Sequence, residues 1–288
     1  MAQDFLIIDG HNLAYRSYFA LAHITRGDAP PTQALLGFIK THRSLLRIWN
    51  PTHQVVVFDG GLSAQRLEQC PEYKAQRPPM PDDLRSQFPL IQQYLDCAAV
   101  PALRIPGQEA DDIIAALALR AAEEQSSVKV FSSDKDLCQL IGPRVHLINP
   151  ARPEVLMDAS AARAKFGVPP ERLGEWLALT GDASDNIRGV PGIGPVTATK
   201  LILRFESIDS LYEHLEEIPE RPRESLRANR PLVERNRMMV RLHTQIPDLP
   251  EWQSLVVGRA SEERLSRFLV SMNLRSLLPQ TRQPDLFD

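Results

Sequence analysis

Phe5-Leu6-Ile7-Ile8-Asp9-Gly10 is the stretch on which the fold turns. Four consecutive apolar residues closed by a turn signal read as a strand covered on both faces, the kind found in parallel sheets. The same phrase recurs twice: Val55-Val56-Val57-Phe58 runs into Asp59-Gly60, and Val128-Lys129-Val130-Phe131 runs into Ser132-Ser133-Asp134. Between these runs lie segments of helical spacing over 35–49, 84–95 and 110–124. Strands alternating with helices predict an α/β fold, a mostly parallel central sheet flanked by helices. From about residue 160 the strand signals thin out. Helical patterns over 161–166, 170–179, 195–205 and 210–215, joined by short Pro/Gly turns, predict a helical subdomain packed on the sheet. We therefore expect an α/β core over 1–158, a helical subdomain over 159–278 and a loose polar tail over 279–288. The proline-rich, charged stretch from Cys70 to Pro89 is expected to be an exposed excursion.

Composition sets outer limits. The chain has 288 residues, of which 43% are hydrophobic and 24% charged, so it can bury a substantial core and is not disordered as a whole. No apolar run approaches the roughly 18 residues of a membrane helix, and the first ten residues show no basic leader or cleavage site. A cytoplasmic monomer with no membrane contact is the expectation. Cys70, Cys97 and Cys138 are odd in number and far from any C-x-x-C spacing, which excludes a thiolate zinc site and predicts reduced, inert thiols. The formal net charge of −3 counts against a nucleic-acid binder unless the acids are gathered at a metal site.

The distribution of acids supplies that possibility. Each strand candidate ends at an aspartate: Asp9, Asp59, and Asp134 with Asp136 two residues on. In an open parallel sheet the C-terminal strand ends share one edge, so these acids are expected to converge. Any one alone reads more simply as a turn residue or helix cap. Glu109, Asp111 and Asp112 open a predicted helix, where acids also suit the macrodipole; Asp182 and Asp185 lie three apart in a turn. Nine acids without a matching set of lysines repel one another unless cations neutralise them. All-oxygen ligands point to two or more Mg²⁺ ions, with Mn²⁺ as the substitute, rather than to zinc. Such ions can activate a water against phosphorus and stabilise the leaving oxygen.

The run Gly189-Val190-Pro191-Gly192-Ile193-Gly194-Pro195-Val196-Thr197-Ala198-Thr199-Lys200 follows the last acids. A helix, a glycine-rich turn and a second helix opening near Pro195 aim backbone N–H groups at a phosphate. This resembles the helix-hairpin-helix motif of proteins that bind DNA without sequence preference. A simple inter-helix turn is the plain alternative.

With these residues in hand, the chain is similar to the 5′-nuclease family, in particular the 5′→3′ exonuclease domain of bacterial DNA polymerase I and the flap endonucleases. The likeness runs from Asp4 to about Leu278 and rests on an ordered set: Ile8-Asp9-Gly10-His11, Phe58-Asp59, Tyr73-Lys74-Ala75-Gln76-Arg77, Glu109-Ala110-Asp111-Asp112, Asp134-Lys135-Asp136-Leu137, Thr180-Gly181-Asp182, Ser184-Asp185-Asn186 and the hairpin. The resemblance implies a PIN-like 5′-nuclease fold. It also implies that Asp9, Asp59, Glu109 and Asp111 serve a first metal cluster with Asp112 nearby, and that Asp134, Asp136, Asp182 and Asp185 serve a second. Lys74 and Arg77 are implied beside the scissile phosphate, stabilising transition-state charge. The same resemblance implies an arch over roughly 70–100 through which a 5′ strand threads. Tyr15, Arg16, Tyr73 and Phe88 are expected to contact that strand, and Gly189, Gly192, Gly194, Thr197 and Lys200 the duplex. K⁺ at the hairpin is a secondary expectation. Arginines crowded between Arg221 and Arg241 read either as a solvated face or as a duplex contact.

The implied activity is metal-dependent 5′→3′ exonucleolytic and flap-endonucleolytic hydrolysis of DNA carrying 5′ flaps, nicks or 5′ ends, in replication and repair. Two other readings compete: a noncatalytic branched-DNA-binding protein, and a PIN-type ribonuclease, against which the hairpin argues. In the tail, Gln283-Pro284-Asp285-Leu286-Phe287 resembles the short peptide with which bacterial replication proteins engage the sliding clamp, Gln283, Leu286 and Phe287 making the contacts.

Overall fold

The computed structural model describes residues 3–22 and 31–278. The first half of the chain alternates as expected: β1 (Asp4–Asp9), α1 (Gly10–Ala20), α2 (Gln33–Trp49), β2 (His53–Val57), α3 (Ala64–Gln69), α4 (Asp82–Arg85), α5 (Phe88–Cys97), β3 (Ala102–Leu103), α6 (Ala110–Glu123) and β4 (Ser127–Phe131). Then come β5 (Val145–Ile148) and β6 (Leu156–Met157), followed by α7 (Ala159–Phe166) and α8 (Leu173–Thr180). A two-stranded ribbon, β7 (Gly181–Asp182) with β8 (Ile187–Arg188), leads to α9 (Pro195–Phe205), α10 (Ile208–Glu213), α11 (Glu220–Ala228), α12 (Arg230–Val240) and α13 (Glu262–Ser271).

The main sheet has the order β3-β2-β1-β4-β5-β6, parallel throughout except for the β5–β6 pair. Its strands are unbroken apolar runs because both faces are covered. Phe5, Ile7, Val55, Val57, Val128 and Val130 face α6 and the helical half. Leu6, Ile8, Val56, Phe131 and Ile148 face α1, α2, α5 and α13. The alternation follows from the two-residue period of a strand.

Two boundaries differ from expectation. The helical subdomain does not run unbroken to 278: Trp252 packs on Phe5 with ring centroids 5.7 Å apart, and Gln54 N–H donates to the Leu255 carbonyl at 2.8 Å. Phe268 and Leu269 of α13 join the core on the far face of the sheet. Nor is the whole stretch 70–100 an exposed excursion. Leu84, Ile91, Tyr94 and Leu95 are buried, so α4 and α5 lie on the sheet domain, and the exposed part is the proline segment before them. Proline content reported backbone irregularity there, while the apolar spacing of α5 reported the packing.

Candidate metal centre

β1 is the strand from which the order runs both ways, to β2 on one side and β4 on the other. A crevice opens at such a switch point, outside the carboxyl ends of the strands. Asp9 ends β1 there and caps α1, accepting from Asn12 N–H at 3.0 Å, while the Ser132 hydroxyl after β4 donates to it at 2.8 Å. Asn12 and Ser133 exchange two hydrogen bonds across the crevice, at 2.7 and 3.1 Å, fixing the two loops against each other. Asp134 follows, bonded through its own N–H to Ser132 Oγ at 3.1 Å and accepting from Asp136 N–H at 2.9 Å.

Asp59, just past β2, accepts from Ala110 N–H at 3.0 Å and so docks the first turn of α6 onto the sheet edge. Gly60 makes that approach possible: a Cβ there would stand 1.7 Å from the Ile105 carbonyl oxygen. The docked turn carries Glu109 and Asp111. From the helical half, the turn after α8 brings Asp182 and Asp185 to the same place. Oxygens of Asp136, Asp182 and Asp185 lie within 4.8 Å of one another. Among the described residues this is the one trio gathered so tightly; the charges of Asp59 and Asp134 act on Asp9, and that of Glu109 on Asp111.

Electrostatics shows what the arrangement requires. Burial, aided by the charges of Asp59 and Asp134, pushes the Asp9 carboxyl up to about 7. Burial also raises Asp111, next to Asp112, and Asp134, facing Asp185. Asp136 is raised by burial and by Asp134, Asp182 and Asp185 together, and its Oδ1 is buried with no hydrogen-bond partner. A buried carboxylate oxygen left unpaired costs free energy unless a cation meets it. The donor set is entirely oxygen. These residues therefore fit hard divalent ions, and Asp9, Asp59, Asp111, Asp134, Asp136, Asp182 and Asp185 are the groups able to hold them.

Several expectations need correction. The acids do have cationic company. Lys74, 8% exposed, contacts Glu109 and lies 3.7 Å from Asp185; Arg77 Nη2 is 2.6 Å from Asp185, and Lys135 Nζ is 2.6 Å from Asp182. Asp112, expected near the metal, instead takes both Arg66 guanidinium nitrogens at 2.7 and 2.8 Å and accepts from His243 N–H at 2.8 Å. With its oxygens so used and only 1% exposed, Asp112 is a structural anchor. Glu109 is nearly saturated too, accepting from Ser63 N–H, Arg66, Tyr73 and Lys74. Against the cost of burial, Lys74 and Arg66 hold its carboxyl down at about 2. Tyr73, expected to stack on a strand, is 2% exposed and its hydroxyl donates to Glu109 and Asp185 at 3.0 and 3.2 Å, leaving no ring face for a base.

Other residues lie where DNA could reach them. Tyr15 is half-buried on α1 near Arg77, Arg85 and Asp59. Arg16 is exposed, donating to the Pro150 carbonyl at 3.0 Å. Phe88 is half-buried against His11. In the hairpin, Gly192 has φ 76°, and Cβ atoms at Gly192 and Gly194 would meet nothing, so backbone N–H groups at the mouth of α9 are open to a phosphate. Thr197 is half-buried and Lys200 exposed on the same first turns. Gly189 has a different reason: a Cβ there would stand 2.2 Å from the Thr180 carbonyl, so this glycine permits packing. Among the arginines of 221–241, Arg223 and Arg227 pair with Glu216 and Arg237 with Asp209, while Arg230 lies over the Tyr212 ring. The tail residues Gln283, Leu286 and Phe287 lie outside the described residues.

Sequence reasoning missed Arg66, Ser132 and His11. Arg66 in α3 carried no signal, because only the fold reveals that it is buried beside two carboxylates. Ser132 and His11 each stand two residues from a recognised aspartate, and that proximity was the available clue.

Acids left short of partners at this sheet edge fit divalent cations, and the family match makes the chain a metal-dependent nuclease. The chain belongs to the 5′-3′ exonuclease family: residues 4–167 match its N-terminal resolvase-like domain and residues 168–263 its C-terminal SAM fold. A 5′-3′ exonuclease of Aquifex aeolicus is 36% identical over 274 residues, covering 95% of this chain and 93% of the relative. DNA polymerase I of Bacillus caldotenax is 34% identical over 294 residues, 99% of this chain but 33% of the polymerase. Among solved structures, T5 5′-exonuclease with bound zinc superposes with a TM-score of 0.70 at 25% identity, covering 94% of this chain and 98% of that one. The catalytic core of Rad2 shares the fold, with a TM-score of 0.62 at 17% identity over 94% of this chain and 88% of its own.

Proposed function

We propose that the chain is a divalent-metal-dependent 5′→3′ exonuclease and flap endonuclease that hydrolyses DNA phosphodiesters at 5′ flaps, nicks and 5′ ends. The observation that carries this reading is the set of buried, mutually opposed carboxylates at the sheet's switch point. Asp9, Asp59, Asp111, Asp134, Asp136, Asp182 and Asp185 hold two or more ions there, Mg²⁺ by preference with Mn²⁺ as substitute. When bound, such ions act as Lewis acids on the phosphate and lower the pKa of the attacking water.

The protein's own groups do the rest. Ser132 and Asn12 orient Asp9, and the Asp136 N–H orients Asp134. Arg77, half exposed, stands ready to stabilise charge developing on the phosphate, and Lys74 adds positive charge from deeper in the same site, held against Glu109. The open N–H groups at Gly192 and Gly194 grip a duplex phosphate, with Thr197 and Lys200 beside them. Carbonyls of the same turn suit a K⁺ ion. Tyr15, Arg16 and Phe88 guide the unpaired strand. The Aquifex relative, named a 5′-3′ exonuclease, and the T5 protein crystallised with zinc support this reading. The tail peptide around Gln283, Leu286 and Phe287 is proposed to recruit the sliding clamp, with Leu286→Ala and Phe287→Ala expected to abolish binding of a 279–288 peptide.

The decisive experiment incubates end-labelled flap, nicked and overhang DNA, and the matching RNA, with Mg²⁺, Mn²⁺ or EDTA. Cleavage of DNA with either metal, none with EDTA, and a loss of at least about a hundredfold for Asp134→Asn is the expected pattern. Binding without cutting would leave a branched-DNA-binding protein, and preference for RNA a ribonuclease.

A further inference from the structure

α12 turns a buried stripe inward at Val233, Asn236, Met239 and Val240. Three of these are apolar, as the inner face of a helix requires. Asn236 is the exception, and it is completely buried. A polar side chain there costs free energy unless its hydrogen bonds are made. Its amide nitrogen makes two, donating to the Ala178 carbonyl in the last turn of α8 at 3.0 Å and to the Arg188 carbonyl of β8 at 2.7 Å. Its amide oxygen is buried with no hydrogen-bond partner. The orphaned oxygen is a cost carried for the sake of the nitrogen's two bonds.

Ala178 and Arg188 are the two ends of one short excursion. α8 runs out at Thr180, β7 carries Asp182, a single turn carries Asp185, and β8 returns at Ile187. The ribbon is two residue pairs long, Gly181 with Arg188 and Asp182 with Ile187. A ribbon of that length does not hold its shape unaided. This one brings Asp182 and Asp185 to Asp136, with oxygens of all three within 4.8 Å of one another. Like charges at that spacing force the ribbon away from Asp136 until a cation joins them. The same helix is tied to the third acid. Gln139, in the 3₁₀ turn Asp136–Leu140, donates its Nε2 to the Val240 carbonyl at 3.1 Å, one turn along α12 from Asn236.

We infer that Asn236 is a positioning residue for the metal centre: by joining the Ala178 and Arg188 carbonyls it holds Asp182 and Asp185 against Asp136 before any ion is bound. The inference rests on the nuclease reading above and deepens it. Asn236 acts through backbone and not through the acids themselves. A site held ready in this way spends none of its binding free energy on ordering the ribbon. Loss of the clamp therefore shows as weaker metal binding, not as slower chemistry once the site is loaded.

The test is Mn²⁺ titration of the whole protein without DNA, read by loss of the free-ion electron paramagnetic resonance signal. Asn236→Leu, which keeps the volume and removes both donors, is expected to weaken Mn²⁺ binding about tenfold or more, the scale on which the outer supports of metal ligands act. Asn236→Ser is the milder change; it keeps one donor and should fall between Asn236→Leu and wild type. Val233→Ala, on the same buried stripe but without a hydrogen-bonding group, is the control. It loosens packing and should leave the Mn²⁺ midpoint within about twofold of wild type. Flap cleavage gives a second readout. Asn236→Leu should need about tenfold more Mg²⁺ for its half-maximal rate yet approach the wild-type rate when Mg²⁺ saturates. A scaffold role alone would lower the rate at every Mg²⁺ concentration and leave that midpoint in place. An unmoved midpoint in either Asn236 variant, or an equal shift in Val233→Ala, overturns the inference and leaves the nuclease reading intact. Wild type that takes up no Mn²⁺ overturns the nuclease reading, and the role of Asn236 with it.

Discussion

Arg66 shows how a single buried side chain can hold a site together. It binds Glu109 and Asp112 at 2.9 and 2.7 Å and donates to the Arg241 carbonyl at 2.9 Å, tying α3, the first turn of α6 and the end of α12. Removing one partner of such a pair leaves the others buried and unpaired. We expect Arg66→Leu to cost about 3–5 kcal/mol in urea unfolding, with part recovered in the double variant carrying Asp112→Leu; a single variant as stable as wild type would contradict the assignment. Asp112→Asn should lower stability while keeping most cleavage, whereas Asp134→Asn should do the reverse. Equal loss of activity in both would return Asp112 to the metal. His42 gives a pH dependence away from the metal centre. Its ring is buried between the Tyr94 hydroxyl and the Gln54 amide, at 2.7 and 3.0 Å, and burial lowers its pKa to about 4. The unfolded chain takes up a proton below about 6.5 that the folded chain refuses until about 4, so stability falls as pH drops through that window. The loss is about 3 kcal/mol at the low end, and His42→Gln should flatten the fall when unfolding is measured from pH 7 to pH 4.

Among the elements, the junction of β2 with α6 is decided by a missing side chain. Gly60 lets the 105–108 loop close to van der Waals contact and the Asp59 carboxylate cap Ala110. Gly60→Ala must displace that loop, because the obstacle is backbone, and should cost about 2–4 kcal/mol together with metal affinity. Calorimetry that shows an unchanged melting temperature would remove the close approach from the account. The strands were legible because a run covered on both faces must be continuously apolar, as Ile7 and Ile8 are on opposite sides of β1. The stretch 70–100 was only half legible. Its prolines fall before α5, and burial of Tyr73 depends on Glu109 and Asp185, which lie 36 and 112 residues away in sequence.

For the molecule as a whole, a net charge of −3 means that DNA affinity must come from local cations, bound metal and open backbone amides rather than from a general positive field. Lys200, exposed on the first turns of α9, is expected to make one phosphate contact, so Lys200→Ala should weaken duplex binding for all sequences alike and reduce the slope of log affinity against log salt by about 1. An unchanged slope would place the duplex elsewhere. The amino-acid order alone determined the α/β class, the helix opening at Pro195 and the positions of the acids, because periodicity and strand-end residues are local properties that parallel topology converts into a shared edge. Only the tertiary structure decided which acids stay short of partners, as Asp136 does, and which are neutralised, as Asp112 is by Arg66. That distinction depends on burial and on which distant cation arrives within hydrogen-bond reach, and neither is written in the neighbourhood of the residue itself.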